Sequence, residues 1–247
     1  MVVSRETLAG LRVALPRLKS DDAIAAALKT AGAQVDTFAL TQTIPIESEQ
    51  LEQMRQRLAS GYYAWVVLSS WRAAQAVLAQ LNTLALAPTS APAPHSPTSA
   101  PTRLAAVGQS TAEWVNSHCA LKPTLVGAGS AAKLLEVFPT PPTATTAAAS
   151  TAATPTICLP QSQLAAPTLA QGLSQLGWQV DAVATYTTAP LTQLPAHLKT
   201  QWQAGAWDAV VVTAGSSAQA LLQLLGPPPK KTAVVSIGKS TTARCRE

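Results

Sequence analysis

Short apolar runs alternate with longer amphipathic segments along most of the chain. The run at 11–15 predicts a buried strand, and the segments after it predict a helix over 22–31 and a strand over 34–40. Ser20 or Asp21 can cap the start of that helix, and glycine at position 32 supplies the left-handed turn that ends it. This alternation is typical of α/β proteins with parallel sheets.

The same pattern predicts the remaining elements, and 247 residues are enough for two domains of ordinary size. We predict strands at 64–68, 104–107, 124–126, 156–159, 179–185, 207–212 and 233–237. We predict helices over 72–81, 131–137, 167–176 and 216–225, and further helices that begin near 110 and 240.

Two stretches interrupt the pattern, residues 86–102 and 139–156. Both are rich in Pro, Ala, Thr and Ser and almost uncharged, so we expect flexible surface insertions. The α/β pattern resumes after each, which argues against a domain boundary. The helix that begins near Ser240 reaches only Glu247 and no strand follows it, so we expect the C-terminal part of the domain to be missing from this sequence.

The balance of charge narrows the classes of partner. With 17 Lys and Arg against 12 Asp and Glu, the chain suits an acidic small molecule, nucleic acid or an anionic membrane. The positive charges form no run, which disfavours nucleic acid. The N-terminus has no apolar signal region, and no apolar stretch approaches the length of a membrane span. We therefore expect a soluble cytoplasmic protein, or a stromal one if the source has plastids.

Cysteine and histidine show no pattern of a disulfide framework or a metal site. The cysteines are odd in number and far apart, so we expect free thiols in a reducing compartment. The histidines lack a partner three or four residues away, and we predict no metal. These residues are Cys119, Cys158, Cys245, His95, His118 and His197.

Small and hydroxyl-bearing residues recur just after the predicted strands. Open parallel sheets bind ligands beyond these carboxyl ends, where the first N–H groups of the next helix favour anions. Each residue could instead be a simple helix cap, but together they indicate a site for a polycarboxylate. The segments are Pro16-Arg17, Ser69-Ser70, Gly108 to Thr111, Gln161-Ser162, Thr213 and Gly238 to Thr241.

Three familiar motifs are incomplete. Residues 238–240 end like a phosphate-binding P-loop, but Ala233 stands where its first glycine should be. Residues 127–129 lack the third glycine of a dinucleotide site, and residues 69–70 lack the glycines that flank a nucleophilic serine. The residues alone therefore indicate an anion-binding α/β protein and do not define its catalytic groups.

Taken in order, the strand-end segments resemble those of the uroporphyrinogen-III synthase family. The resemblance covers Leu11 to Glu247 apart from the two insertions, and the link ending Ala184-Thr185-Tyr186-Thr187 adds to its specificity. The segments are LRVALPRLKSDDAIAAALKTAGAQVDTFAL, WVVLSSWRAAQAV, LAAVGQSTAEWV, AAKLLEVF, TICLPQSQLAAPTLAQGLSQLGWQVDAVATYTTAP, DAVVVTAGSSAQALLQLLG and AVVSIGKSTTARCRE.

The resemblance implies a fold of two flavodoxin-like parallel-sheet domains joined by a two-stranded linker. One domain is discontinuous, residues 1–42 with 188–247, and residues 43–187 form the inserted domain. The linker strands would be 41–46 and 186–190, antiparallel to each other. The active site would lie in the cleft between the domains, and we expect a monomer.

The resemblance also implies a reaction without cofactor or metal. The substrate would be hydroxymethylbilane, a linear tetrapyrrole with eight carboxylates, supplied by hydroxymethylbilane synthase as an upstream partner. The enzyme would expel the terminal hydroxyl as water, invert the last pyrrole through a spiro intermediate and close the macrocycle. Unassisted closure occurs without inversion, so the main task of the protein is to impose a conformation.

The resemblance assigns the catalytic role to one tyrosine and substrate binding to two turns. Tyr186 matches a linker tyrosine that can donate a hydrogen bond to the departing hydroxyl, although such a tyrosine could equally pack with its hydroxyl in water. The two turns of sequence Gly-x-x-Thr contribute Gly108 with Thr111 and Gly238 with Thr241, which we expect to bind substrate carboxylates.

Five further residues are expected to contact the substrate: Arg17, Ser69, Ser70, Arg72 and Thr213. Either arginine could pair with a carboxylate or be a solvated surface residue.

The chain departs from the family pattern at three strand ends. Gln161-Ser162 replaces a frequent Arg-Gly and so removes a cation, Ala214-Gly215 replaces Ser-Pro, and Lys239 replaces a proline. Because of these changes, an alternative function is that of a non-catalytic module that binds an acidic tetrapyrrole. A flavin- or nucleotide-binding regulator is a further alternative that the fold class allows, but the absent phosphate loops count against it.

Overall fold

The computed structural model describes residues 7–19, 22–86, 101–142 and 154–246, and most of both predicted insertions lies outside these ranges. The elements are, in chain order, β1 (Arg12–Leu15), α1 (Ala23–Thr30), β2 (Gln34–Thr37), β3 (Thr41–Pro45), α2 (Glu49–Ala59), β4 (Trp65–Leu68), α3 (Trp71–Ala76), α4 (Leu78–Leu86), β5 (Arg103–Ala106), α5 (Gln109–His118), β6 (Leu125–Val126), α6 (Ala131–Leu135), β7 (Thr156–Ser162), α7 (Thr168–Gln175), β8 (Gln179–Pro190), α8 (Ala196–Gln203), β9 (Ala209–Val212), α9 (Gly215–Leu225), β10 (Ala233–Ser236) and α10 (Lys239–Arg246).

The chain divides into two compact units. Unit 1 comprises Met1–Ile44 and Thr188–Glu247, and unit 2 comprises Pro45–Thr187. Each contains a parallel sheet, which confirms the predicted α/β class.

Unit 1 is built on a four-stranded sheet in the order β10-β9-β1-β2. Alternate residues of β1 point to opposite faces: Ala14 packs with Trp202 and Trp207 on one face, and Val13 and Leu15 pack on the other. Both faces are buried, as is usual for parallel strands, which explains why β1 and β9 are continuous apolar runs in the sequence. The strand order is that of a flavodoxin-like sheet over its four described strands.

Unit 2 is built on β8-β7-β4-β5-β6, and β3 adds to the sheet beside β8. Val66 and Leu68 of β4 belong to one buried cluster, whereas Trp65 and Val67 belong to a cluster on the opposite face. Numbered within unit 2, its parallel strands run 3-2-1-4-5, the other common arrangement of doubly wound sheets. The spatial arrangement nevertheless matches that of unit 1, since β7-β8 correspond to β1-β2 and β4-β5 to β9-β10. Only the order in which the chain visits the two pairs differs.

The strands β3 and β8 are neighbours, and their flanking hydrogen bonds show an antiparallel pair. The N–H of Ile46 donates to the carbonyl of Thr185 at 3.0 Å, and the N–H of Leu191 donates to the carbonyl of Leu40 at 2.9 Å. The residue number rises along one strand as it falls along the other, as antiparallel pairing requires.

The structure corrects the predicted elements in three places. Asp22 caps α1, because its carboxylate accepts the N–H of Ile24 and of Ala25; the predicted caps, Ser20 and Asp21, lie outside the described residues. The helix predicted over 72–81 is two helices, since Val77 leaves the helical conformation at ψ 17°. The strand that begins at 179 continues to Pro190 as one element.

Two helices were not predicted, α2 and α8. In α2, Leu51, Met54 and Leu58 are fully buried, and their spacing is that of one helix face. In α8, Leu198 and Trp202 stand four residues apart and are also buried. The apolar pattern of both helices was therefore present in the sequence, but the surrounding polar residues made it weak.

Candidate functional site

Each sheet has a point where the direction of strand addition reverses. In unit 2 the chain builds β4, β5 and β6 outward on one side and β7 and β8 on the other, so the reversal lies between β4 and β7. In unit 1 it lies between β1 and β9. Open α/β sheets bind ligands at such points, beyond the carboxyl ends of the strands.

The predicted residues Ser70 and Tyr186 meet at the carboxyl edge of unit 2. Ser70 follows β4, and its Oγ lies 3.0 Å from the Oη of Tyr186. Ser70 also caps α3, since its Oγ accepts the N–H of Ala73 at 3.2 Å. Both side chains are partly buried, and Ser69 beside them is half-buried. The serine and the tyrosine are 116 residues apart in the chain.

A β-bulge positions Tyr186. In the pairing of β7 with β8, Gln161 faces Ala184 and Ser162 faces Tyr186, so Thr185 is an extra residue on β8. Thr185 is buried, and its hydroxyl donates to the carbonyl of Gln161 at 3.3 Å. The N–H of Gln163 then donates to the carbonyl of Tyr186 at 2.8 Å. A bulge re-aims the side chains that follow it, and this one sets the direction of the tyrosine.

The N-terminus of α5 is open. Its cap is Gly108, and no side chain caps the helix. A Cβ on Gly108 would lie 3.0 Å from the Cα of Gly129, and a Cβ on Gly127 would lie 2.7 Å from the carbonyl oxygen of Val107. The glycines thus permit close packing of the two loops. Thr111 is only 5% exposed, so the accessible groups of this turn are the exposed residues at 109 and 110.

Arg72 lies on an aromatic surface beside Ser70. Its guanidinium carbon is 4.5 Å from the ring centroid of Trp71. Trp71 lies 6.0 Å from the ring of Trp114, which stacks on His118 at 4.4 Å. The structure pairs Arg72 with no carboxylate among the described residues, and its charge is exposed. The ring face holds the guanidinium in place without neutralising it.

In unit 1, Arg17 and Thr213 lie across the reversal point. The Nη1 of Arg17 is 3.4 Å from the Oγ1 of Thr213. The rest of the guanidinium forms a bidentate pair with Asp22, with both nitrogen–oxygen distances at 2.5 Å. This hydrogen-bonded arginine lowers the pKa of Asp22 from 3.8 to about 2, opposed by burial and assisted by the two amides that the carboxylate caps. The charge of Arg17 is therefore largely compensated within the protein.

The second of the two Gly-x-x-Thr turns lies in unit 1 at the start of α10. Gly238 has φ 89°, a left-handed conformation that favours glycine. Thr241 is only 4% exposed, whereas the next residue takes the local polar contacts: Thr242 donates its hydroxyl to the carbonyl of Gly238 at 3.1 Å and lies 2.7 Å from the hydroxyl of Ser236. The N-cap residue of the neighbouring helix α9 is Ala214, and no side chain caps this helix. Its first N–H groups are therefore also available to an anion.

Three residues with polar or aromatic roles near these sites were not predicted: Asp22, Trp71 and Thr242. Asp22 stands five residues after Arg17, so its pairing could have been found from the sequence. Trp71 and Thr242 adjoin predicted residues, but nothing in their local sequence distinguishes them from ordinary helix residues.

A second polar cluster lies on β8 and the segment before β4. Asp181 accepts a short hydrogen bond from the hydroxyl of Tyr63 and an ion pair from Arg57 at 3.3 Å. Burial raises the pKa of Tyr63, which keeps its proton, and burial also raises the pKa of the Cys158 thiol. Asp181 is near the start of β8, so this cluster is at the amino edge of the sheet, away from Tyr186.

A cavity of about 640 Å³ is also at the amino edge of unit 2 and is lined by Trp65, Thr102 and Arg103 among others. Within the described ranges, no helix is both long and apolar enough to cross a bilayer. In the same part of the chain, no three His, Cys, Asp or Glu side chains come together in a metal-binding group.

The fold and these edges define a class of protein. It has two doubly wound parallel sheets, each with hydroxyl groups, an arginine and uncapped helix N-termini at its carboxyl edge. Doubly wound sheets bind ligands at these edges, and free N–H groups at helix N-termini favour anions.

The family follows from comparison with known proteins. The chain matches the family model described as uroporphyrinogen-III synthase HemD over residues 22–247, and it belongs to the uroporphyrinogen-III synthase family. No curated protein sequence matches it significantly.

Solved structures agree on the fold. A mutant uroporphyrinogen III synthase from the extremely thermophilic bacterium Thermus thermophilus is 17% identical, with a TM-score of 0.58, covering 96% of this chain and 88% of the other. Uroporphyrinogen-III synthetase from Helicobacter pylori is 13% identical, with a TM-score of 0.57 and the same coverage. At these identities the likeness shows the fold alone.

Proposed function

We propose that this chain catalyses the cyclisation of hydroxymethylbilane to uroporphyrinogen III, with units 1 and 2 as the two domains of the enzyme. The observation that carries the proposal, beyond family membership, is the phenol of Tyr186 held 3.0 Å from the Ser70 hydroxyl at the strand-reversal point of unit 2. A phenol at that edge is placed where a doubly wound sheet binds its ligand. Free cysteines are consistent with a reducing compartment, the cytoplasm or stroma.

In this proposal Tyr186 is the general acid. Its hydroxyl donates a proton to the terminal hydroxyl of the bilane, and the carbon–oxygen bond breaks with its electron pair leaving on water. The resulting carbocation, stabilised by its pyrrole nitrogen, is attacked by the substituted carbon of the last ring to form the spiro intermediate. The spiro intermediate then reopens, and the macrocycle closes at the free carbon of the last ring. This closure releases one proton, which returns to the oxygen of Tyr186 and restores the phenol. Atoms and charge balance, and the net product besides the macrocycle is one water.

The carboxylates of the substrate need several weak anchors rather than one strong one. In unit 2 we assign them to the N–H groups at the start of α5, beside Gly108 and the exposed residues 109 and 110, and to the exposed guanidinium of Arg72. Thr111 is 5% exposed, so we assign it to the packing of this turn.

In unit 1 we assign carboxylates to Thr213, to the backbone at Gly238 and to the open N-terminus of α9. Thr241 is 4% exposed, so we assign it to the packing of this turn. Arg17 has a smaller part here, because Asp22 already takes two of its donors.

The decisive experiment generates hydroxymethylbilane in situ and measures the ratio of type III to type I isomers after oxidation of the products. We expect mainly type III product from the wild type. Tyr186→Phe should lower kcat for type III formation by roughly 10²-fold, the lower range for general acid catalysis, with little change in KM.

The matched control is Tyr62→Phe, since Tyr62 packs against Tyr63 and Arg57 away from the proposed site. Type I product at the rate without enzyme, from a wild type shown to be folded, would overturn the proposal.

A further inference from the structure

We infer that Ser70 is a positioning residue that acts through Tyr186, rather than a substrate ligand: its hydroxyl donates to the phenol oxygen and leaves the phenol proton free for the departing hydroxyl. The inference rests on the proposed function and assigns Ser70 a role different from that suggested by its place in the family motif. It begins from a hydrogen bond between two side chains 116 residues apart.

The hydroxyl of Ser70 has a limited hydrogen-bonding capacity. It has one proton to donate and two lone pairs to accept with. The N–H of Ala73 donates to Ser70 Oγ at 3.2 Å, so one lone pair is occupied by the cap of α3. Its proton and its second lone pair remain, so the geometry allows either hydroxyl to donate across the 3.0 Å to the Oη of Tyr186. We assign the donor role to Ser70, since only that orientation leaves the tyrosine proton for another group. With this orientation the tyrosine proton points to a third partner.

The same bond becomes stronger as the reaction proceeds. When Tyr186 gives its proton to the leaving oxygen, its own oxygen acquires negative charge. Hydrogen bonds to a charged acceptor are roughly twice as strong as those between neutral groups. Ser70 therefore stabilises the transition state more than the ground state, which is the condition for raising kcat. Ser70 keeps its own proton throughout.

The protein holds both partners before substrate arrives. Ser70 is fixed by its place at the end of β4 and by the cap of α3. Tyr186 is fixed by the bulge at Thr185 and by the hydrogen bond from Gln163 to its carbonyl. A pair built on strand ends and a bulge does not need to reorganise during the reaction.

The test is a cycle of four proteins: wild type, Ser70→Ala, Tyr186→Phe and the double variant. We expect Ser70→Ala to lower kcat for type III formation about tenfold, the effect of one hydrogen bond, with KM within about twofold. In the Tyr186→Phe background the same change should alter kcat by less than about twofold, because the phenol through which Ser70 acts is gone.

Ser70→Thr retains the hydroxyl and should recover kcat to within about threefold of wild type. Ser48→Ala is the matched control, since Ser48 caps α2 through Leu51 at 3.1 Å without a tyrosine partner; it removes a helix cap alone and should leave kcat unchanged. Equal losses from Ser70→Ala in the tyrosine and phenylalanine backgrounds would overturn the inference, as would a loss expressed in KM rather than in kcat.

A second readout separates this inference from the proposed function. Urea unfolding midpoints of the same four proteins report the Ser70–Tyr186 bond whether or not the chain is active. A folded but inactive wild type would refute the proposed function, and the midpoints would then decide the placement of Ser70. Midpoint shifts that do not add in the double variant support the pair, and additive shifts overturn it.

Discussion

The ion pair at the start of α1 supports a quantitative prediction for Asp22→Asn. Asparagine is as good a helix cap as aspartate, so the change keeps the cap of α1 and removes the charge that faces Arg17. The side chain of Asp22 is 4% exposed and that of Arg17 is 29% exposed, so water screens the pair only weakly. The variant therefore measures what the charge of Asp22 and its hydrogen bonds to Arg17 contribute together to the stability of unit 1.

The magnitude follows from the pKa of Asp22, which the hydrogen-bonded Arg17 lowers from 3.8 to about 2. Each tenfold change in proton affinity is worth about 1.4 kcal/mol, so the charged carboxylate stabilises the folded state by about 2 kcal/mol. Because the folded pKa is the lower one, this stabilisation is complete above pH 3.8. It disappears as the pH falls toward about 2.

The assay is urea unfolding of wild type and variant between pH 2.5 and 7, followed by NMR of tryptophan indole N–H signals. Trp207 reports unit 1, where its indole donates to Asp36 at 2.7 Å. Trp178 reports unit 2, where its indole donates to Pro139 at 2.7 Å, and its midpoint should not change. Glu136→Gln is the charge control, since its pair with Lys133 is exposed on both sides and contributes little.

The expected result is a wild-type advantage of about 2 kcal/mol at neutral pH, about half of it remaining near pH 3. A difference that stays constant from pH 7 to pH 2.5 would show that the charge of Asp22 is not the source of the stabilisation. So would an equal shift in the Trp178 signal, which would place the effect outside unit 1.

Two further predictions concern the loops and the arginine of unit 2. Gly127→Ala should lower the free energy of unfolding of unit 2, measured in urea, by about 1–3 kcal/mol, because the added Cβ would lie 2.7 Å from the Val107 carbonyl oxygen. In the control Gly215→Ala the added Cβ makes only ordinary contacts, so this change should be neutral or stabilising. Arg72→Lys should raise KM several-fold with kcat little changed, since lysine loses the planar contact with the Trp71 ring. The control Arg103→Lys, at the amino edge, should alter neither constant. A change in kcat alone for Arg72→Lys would contradict the assignment of Arg72 to substrate binding.

Local sequence patterns were sufficient for most of the elements. The strand predicted at 64–68 is β4 at Trp65–Leu68, and the strand predicted at 233–237 is β10 at Ala233–Ser236. These runs are identifiable because a parallel strand covered on both faces is apolar at every position. The α2 helix shows the opposite case, since one buried face of Leu51, Met54 and Leu58 lies among charged and amide residues and gives a weaker signal.

The candidate site was predicted as a set of residues but not as an arrangement. The resemblance selected Ser70, Tyr186, Arg17 and Thr213 as separate strand-end positions, and their assignment to substrate remains a prediction. The structure joins the first two by a hydrogen bond and the last two by another. It also adds Asp22 as the partner of Arg17, which changes the expected strength of that arginine as an anion ligand.

Most of the strands and helices could therefore be predicted from the residues alone. The order of the strands, the bulge at Thr185 and the resulting contact between Ser70 and Tyr186 emerge only in the folded chain. The physical reason is that the apolar pattern of a strand records that it is buried on both faces but not which strand lies beside it. Neighbours in the sheet are chosen by packing between segments far apart in the chain, and that choice brings the two hydroxyls together.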